Sequence, residues 1–275
     1  MKTSHKLLSV LPVLLLISLL AACNRVGRLV APPPDRGGSY LVLAVEGGGT
    51  QLEQNIAQTI AVMQKRCEQL DIYCNLQREG GAQSNRLRLR ISSTLDPERV
   101  KSILLSEGLE LRAVVSPPSP APSQSYPTRA QAEEAVTSDN QEVLPYLDRG
   151  DGPQTYVIVE RAPVITGQHV SSAEARSNEA TSHVDKTENY TIAFELNPTG
   201  AERLGNWTAA NINNYLAFIF NRQVRTVAFI KSQITNSGEI SGRFTKQQAE
   251  DMVLVMRSGN LPAKIQALEE GTYRP

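Results

Sequence analysis

The sequence is poor in the residues that nucleic-acid surfaces and zinc sites require. Aromatic residues make up 5% of the 275 positions, with a single Trp, and 28 basic residues are balanced by 28 acidic ones. Without a basic excess or stacking aromatics, we expect no nucleic-acid partner. Three Cys and three His match no zinc spacing. Because 40% of the residues are hydrophobic and only 20% are charged, the chain is not disordered in bulk.

Catalytic motifs are also missing. The sequence contains no Gly-x-Ser-x-Gly elbow, no His-Glu-x-x-His and no Ser-x-x-Lys, and His169 and His183 lie beside no evident nucleophile. The glycine turn Gly47–Thr50 follows a predicted strand and precedes a predicted helix, but it lacks the Gly-Lys-Ser/Thr of a phosphate loop. We therefore expect no catalytic residues, no metal site and no cofactor, and a protein that is not an enzyme.

The N-terminus has the pattern of a lipoprotein signal peptide over residues 1–22. Two lysines precede the apolar stretch Leu7–Leu20, which is too short and too interrupted to span a membrane. The stretch ends in Leu-Ala-Ala before Cys23, and this pattern resembles the lipobox of bacterial lipoproteins. We expect lipidation of Cys23 and an anchored protein in the bacterial cell envelope, facing the periplasm or the cell exterior. The alternative is a plain signal peptide that is cut after Ala22.

Residues 39–115 have the pattern of a ferredoxin-like base domain, and the Pro- and Gly-rich residues 23–38 precede it as a tether. Fifteen flexible tether residues would span roughly 20 Å. Apolar residues from Leu52 to Leu70 recur at helical spacing, and Asp96 with Pro97 begins a second helix. The order is β-α-β-β-α-β. The predicted strands are Tyr40–Val45, Asp71–Gln77, Arg86–Ser92 and Leu109–Val115.

Two cysteines remain once Cys23 is lipidated. Cys67 lies near the end of the first predicted helix and Cys74 in the following strand. In an exported protein such a pair is a disulfide candidate, and closing this short loop would contribute roughly 2–3 kcal/mol. The alternative is two free buried thiols.

A second region follows a linker. Residues 116–153 contain a Pro-rich segment and a short helix capped by Thr128, with a loop from Asp139 onward. Residues 154–268 predict a smaller α+β head domain, and residues 269–275 a tail. We expect the base and the head to fold separately, with proteases cutting first within residues 116–127 or 178–189. The predicted head elements are strands Gln154–Glu160 and Tyr190–Leu196, helix Pro198–Asn211, hairpin Tyr215–Ile230 and a capping-box helix that begins after Thr245 and stops at Gly259.

Several separate segments carry a recognisable pattern. Ile240–Thr245 reads I-x-G-x-F-T, Arg257–Ala263 reads R-x-G-x-L-P-A, and Gly37–Leu43 reads G-G-x-x-L-x-L. Together with Pro163–Gly167 at the head entry, these segments resemble the opening and the I-x-G-x-F-T…A…L-R-x-G-x-L-P-A ending of the first periplasmic domain, base plus head, of SecD, a subunit of the SecDF protein-export machinery. The resemblance runs from about Gly37 to Leu268. The family's Asp-Gly turn between two buried strands is replaced here by Asn221-Arg222-Gln223.

The resemblance implies a role in protein export. In SecD five proton-coupling transmembrane helices follow this domain, whereas this sequence ends at Pro275. We therefore expect a stand-alone lipid-anchored module without proton-coupled activity, which holds emerging polypeptide or docks on the translocon through SecY, SecF or YajC. The alternatives are an envelope scaffold or binding lipoprotein that kept only the fold, and an unrecognised envelope enzyme. Trp207, three residues after Leu204, is the leading candidate for client contact; alternatively it completes the core.

Overall fold

Three β-sheets organise the computed structural model, which describes residues 37–115, 125–147, 153–177 and 190–274. Cys23, the tether up to residue 36, the linker residues 116–124 and residues 178–189 lie outside these ranges. The helices are α1 Gly49–Gln69, α2 Pro97–Leu104, α3 Arg129–Glu134, α4 Pro198–Ala210 and α5 Lys246–Ser258. The strands are β1 Gly38–Val45, β2 Tyr73–Glu79, β3 Arg86–Ser92, β4 Leu109–Ala113, β5 Gln141–Tyr146, β6 Thr155–Glu160, β7 Ile165–Thr166, β8 Val170–Ser177, β9 Tyr190–Leu196, β10 Tyr215–Phe220, β11 Gln223–Phe229, β12 Ser237–Phe244 and β13 Ile265–Tyr273.

The base is an antiparallel sheet in the order β13-β1-β3-β2, with α1 and α2 packed on one face. Strict alternation in β3 buries Leu87, Leu89 and Ile91 against the helices and leaves its arginines on the other face. The apolar stripe of α1 buries Ile56 and Met63 in the same core. The predicted ferredoxin-like base and mixed α+β class are confirmed.

The fourth strand of the base sheet is β13 and not β4. β13 pairs with β1 from Gly38 opposite Tyr273 to Val45 opposite Ile265, so the predicted tail from Glu269 onward is instead part of a strand. β4 pairs with β10 in the head, where Leu109 and Leu111 enter the head core. Neither base nor head is therefore a continuous stretch of sequence.

The head contains a six-stranded sheet in the order β6-β5-β11-β10-β4-β7. This sheet curls, because Val114 just after β4 bridges Val159 of β6, and the N–H of Val115 donates to the carbonyl of Ile158 at 2.9 Å. Five strands thereby enclose a small apolar interior with Leu144 and Ile219 among its residues. Helix α3 covers Val143 and Ile158 on the outside.

A second head sheet has the order β12-β9-β8 and packs with α4 and α5 on the main head core. The capping box at Thr245 and the caps at Asp96 and Thr128 are present as predicted. β5 occupies part of the region expected to be a loop after Asp139, and β8 and β12 were not predicted. By their contacts, the described residues belong to one compact unit and not to two separate ones.

Candidate functional site

A fully buried arginine lies where the base meets the head. Arg66 of α1 donates to the carbonyls of Ile103, Leu104 and Ser106 at the end of α2, at 2.7–3.0 Å. It also donates to the hydroxyl of Ser258 at 3.0 Å and the carbonyl of Gly259 at 2.9 Å, where α5 ends. One guanidinium therefore ties three helices together.

These acceptors explain why a charge is tolerated there. The last carbonyls of a helix have no partner within the helix and carry its partial negative charge. Burial lowers the pKa of Arg66 to about 10, which still leaves the side chain charged at neutral pH. No local pattern in the sequence indicates this role, because the acceptors lie 37 to 193 positions away.

The segment Arg257–Ala263, which carries the resemblance to SecD, links α5 to β13. The Nε of Arg257 donates to the carbonyl of Ala173 at 2.9 Å. Asn260 accepts from the N–H of Gly167 at 2.8 Å and donates to the carbonyl of Leu109 at 3.0 Å. A Cβ at Gly167 would collide with the Asn260 side chain, so this approach requires glycine. The segment is a structural junction between head and base.

The Gly-x-Phe of the other resembling segment has a packing reason. The ring of Phe244 lies over Gly242, where a Cβ would approach the ring to 2.6 Å. Phe194 covers Gly238 in the same way at 2.7 Å. Both rings are buried in the head core. Glycine therefore lets each aromatic ring cross the strand and fill the core.

An open cavity of about 550 Å³ separates base from head, and we call it the base–head cleft. Its wall is half apolar, and Leu95 from the base and Leu254 from α5 are both half-buried in it. An ion pair between Arg99 and Asp251, at 2.7 Å, joins the two sides. The other lining residues that matter here are Leu70, Ala175, Val253 and Arg257.

The disulfide lies beside this cleft. Cys67 and Cys74 are joined, with their Cα atoms 6.1 Å apart, and they bracket the turn that carries Leu70. Leu70 contacts both the base core and the head core. Asp71 adopts a left-handed φ of 54°, a conformation that favours glycine. The bridge therefore holds a strained turn at the cleft wall.

Two further cavities lie in the head. One of about 380 Å³ over β8, β9 and β12 shares Glu174 and Arg257 with the base–head cleft, so the two adjoin. The other, of about 740 Å³, lies near α3 and the β10–β11 turn.

That turn carries the departure from the family's Asp-Gly. Asn221 and Arg222 have φ values of 52° and 57°. Arg222 donates to Glu142 at 2.7 Å, and the buried Arg112 also bonds Glu142. Burial alone raises the pKa of Glu142, but the hydrogen bonds from Arg222 and Arg112 outweigh it and hold the pKa below its ordinary value. The ion pair between Arg222 and Glu142 therefore joins this turn to β5.

Trp207 is half-buried and packs against the head core, and it is not among the residues that line the three cavities described above. The exposed large hydrophobic residues of the described chain are Ile212 and Leu268, each 45% exposed. No group of three metal-ligating side chains occurs in the described ranges. None of the helices described is both long and apolar enough to cross a membrane.

Comparison with known families shows what the head is similar to. Residues 141–263 match the family described as SecDF, P1 head subdomain. The head is thus similar to that subdomain, and it is called the P1 head below. The match begins at β5 and so extends the P1 head 13 residues before the start expected from sequence, residue 154.

Relatives extend the similarity beyond the P1 head. The protein translocase subunit SecD of Koribacter versatilis is 31% identical over 225 residues, which are 81% of this chain and 40% of that protein. SecD of Aquifex aeolicus is 32% identical over 227 residues, covering 82% and 41%. The chain thus spans about two fifths of the length of these relatives.

Solved structures agree on the fold. "Crystal structure of SecDF in Super-membrane-facing form" superposes with a TM-score of 0.61 at 21% identity, over 86% of this chain and 31% of that one. "Structure and function of a membrane component SecDF that enhances protein export" gives 0.60 at 20% identity, over 84% of this chain and 98% of that one. At this identity the likeness supports the arrangement of P1 head and base alone.

Proposed function

We propose that this protein is a lipid-anchored SecD-type module that assists protein export by holding extended polypeptide in the base–head cleft. The observation that carries the proposal is a P1 head fixed to a ferredoxin-like base, with half-buried Leu95 and Leu254 on opposite sides of an open cleft. An unfolded chain offers apolar side chains, and a half-apolar cleft can bind them. The module needs no cofactor and performs no proton-coupled work of its own.

The anchor is part of the proposal. Lipidation at Cys23 would hold the base near the membrane on the periplasmic side, at the end of a tether of roughly 20 Å. From there the protein would dock on translocon components such as SecY, SecF or YajC. The relatives from Koribacter versatilis and Aquifex aeolicus are named protein translocase subunits, which supports this docking.

The anchor has a direct test. We expect Cys23→Ala to yield a protein that is either unprocessed or free in the periplasm, because no thiol remains to take the lipid. Detergent partitioning and the intact mass of the purified chain report this. A mutant that still partitions into detergent with acyl chains on its mature form contradicts the lipobox.

Polypeptide holding is tested with a reduced, unfolded client. We expect weak binding without nucleotide or metal, and a loss of about tenfold in affinity for Leu254→Glu, because a charge in the cleft opposes burial of apolar side chains. Ile212→Glu is the matched control, since Ile212 is an exposed apolar residue of the head that does not line the cleft. If Leu254→Glu and Ile212→Glu bind the client equally well, the cleft is not the binding site. If the wild-type protein binds no unfolded client, polypeptide holding is refuted.

The fluorescence of Trp207 tests the remaining sequence-based prediction. As the single Trp it reports on its own surroundings alone. A shift in emission when the client binds places Trp207 at the contact. An unchanged spectrum during binding that is measured independently assigns Trp207 to the core of the P1 head.

A further inference from the structure

β8 is an edge strand whose outer side faces the base–head cleft. It is the last strand in the sheet order β12-β9-β8, and Ala175 on it lines the cleft. An edge strand leaves alternate backbone groups unpaired. The direction of those groups can be read from the neighbouring strand.

The ladder assigns the outward groups to Ala173 and Ala175. The N–H of Leu196 in β9 donates to the carbonyl of Asn236, on the β12 side. Since directions alternate along a strand, Phe194 and Ile192 also turn their backbone groups toward β12. Their partners on β8 are Ala173 and Ala175, which therefore direct N–H and C=O away from β9. In agreement, the carbonyl of Ala173 accepts from Arg257 on α5.

Ala175 differs from Ala173 because no residue in the described ranges caps it. No described residue bonds its backbone N–H or C=O outside the β8–β9 ladder, and those groups point away from that ladder. The residue is half-buried, with Leu254 and Leu95 lining the same cleft. A backbone donor and acceptor beside apolar side chains match the backbone and alternate side chains of an extended peptide.

We infer that the cleft binds an extended polypeptide as an added strand on the edge of β8, with backbone hydrogen bonds to Ala175 and apolar side chains against Leu95 and Leu254. This rests on the proposed function and specifies how the client is held. Arg257 already occupies the carbonyl of Ala173, so pairing is confined to the part of β8 from Ala175 to Ser177. The expected client is a short extended segment with apolar residues at alternate positions, recognised mainly through its backbone hydrogen bonds.

Backbone methylation of the ligand tests strand pairing without altering the protein. The probe is a seven-residue peptide of alternating leucine and threonine with lysine at both ends, titrated into the full chain. Two N-methylated versions are compared, one methylated at the residues whose N–H faces β8 and the other at the alternate residues. We expect one version to bind roughly fivefold or more weakly and the other to match the parent. Equal affinities of all three overturn the inference.

Amide exchange locates the contact. The N–H groups of Glu174 and Arg176 face β9, so they are internal controls that exchange slowly with or without peptide. The amide of Ala175 exchanges fast in the free protein and slows when the peptide binds. If it is already slow in the free protein, residues 178–189 or a second copy of the chain occupies the edge, and the inference is wrong.

A protein variant separates this inference from the function it refines. Ala175→Pro removes the outward N–H while keeping the ladder to β9, since Pro is tolerated on an edge strand where its nitrogen faces outward. We expect binding of the parent peptide to weaken roughly fivefold, with unfolding midpoint unchanged. Full binding by Ala175→Pro together with loss in Leu254→Glu rejects strand pairing and leaves cleft binding standing. No binding by the wild-type chain rejects both.

Discussion

Replacing Arg66 should uncouple the base from the head. Arg66→Met keeps the apolar stem but removes five hydrogen bonds to acceptors at the ends of α2 and α5. Those acceptors are buried or nearly so, and each one left without a donor opposes folding. Removing the buried charge gives back part of its desolvation cost.

The net loss is about 3–5 kcal/mol, because each buried acceptor left without a donor costs about 1–3 kcal/mol and the desolvation cost that is no longer incurred offsets part of that sum. With a urea dependence of about 2–3 kcal/mol per molar, the unfolding midpoint should fall by about 1–2.5 M. Arg86→Met is the control, because Arg86 is exposed on the open face of the base sheet, and it should change stability by less than about 0.5 kcal/mol.

Two signals distinguish uncoupling from general destabilisation. Trp207 fluorescence follows the head, whereas far-UV circular dichroism follows both parts. In the wild-type chain the two transitions should coincide, because the described residues form one compact unit. In Arg66→Met they should separate. A midpoint shift no larger than that of Arg86→Met, or coincident transitions in both proteins, would refute the role assigned to Arg66.

Three further predictions concern single interactions. Replacing Cys67 and Cys74 by serine should lower stability by about 2–3 kcal/mol in urea; if reductant leaves the wild-type midpoint unchanged, the bridge contributes nothing. Asn260→Ala should lower the free energy of unfolding by about 2 kcal/mol, because it leaves the N–H of Gly167 and the carbonyl of Leu109 without their partner. A loss under about 0.5 kcal/mol would contradict the structural role assigned to Asn260. The pKa of Glu142 lies below its ordinary 4.5 in the folded state, so the carboxylate's contribution to folding stability is present above pH 4.5 and lost as the pH falls through the lowered pKa. Glu142→Gln should therefore be less stable than the wild type by about 2 kcal/mol at pH 7, and the two stabilities should converge in acid. If the stability difference between the two proteins does not change with pH, the role assigned to the Glu142 carboxylate is wrong.

The sequence predicted a helix or strand correctly where its contact partners are near in sequence or where its pattern of apolar and polar residues is regular. The alternation in β3, the stripe of α1 and the capping box before α5 each follow from spacing alone, and all three are present. The segments resembling SecD lie in the head and at its junction with the base, but they did not reveal that β4 and β5 also belong to the head. Their physical reasons, such as the ring of Phe244 over Gly242, needed the structure.

The errors share one cause, which is pairing over long distances in sequence. β13 carries Glu269 and Glu270 and is exposed along most of its length, so its sequence reads as a tail until β1 is placed beside it. β4 was assigned to the base because it follows α2, although its partner β10 lies about 100 residues further on. Arg66 and Ala175 carry no local signal, since their roles depend on which distant groups surround them.

The pairing of β1 with β13 also determines the order in which the two parts fold when the chain emerges N-terminus first. The two strands are more than 200 residues apart, and closing so long a loop costs roughly 5 kcal/mol of chain entropy. A head that folds first shortens that loop, so the base sheet should be completed last. Until Ile265–Tyr273 has emerged, one edge of β1 has no partner. A chain stopped before that point would carry a finished head on an unfinished base, with the edge of β1 open to strands of other chains.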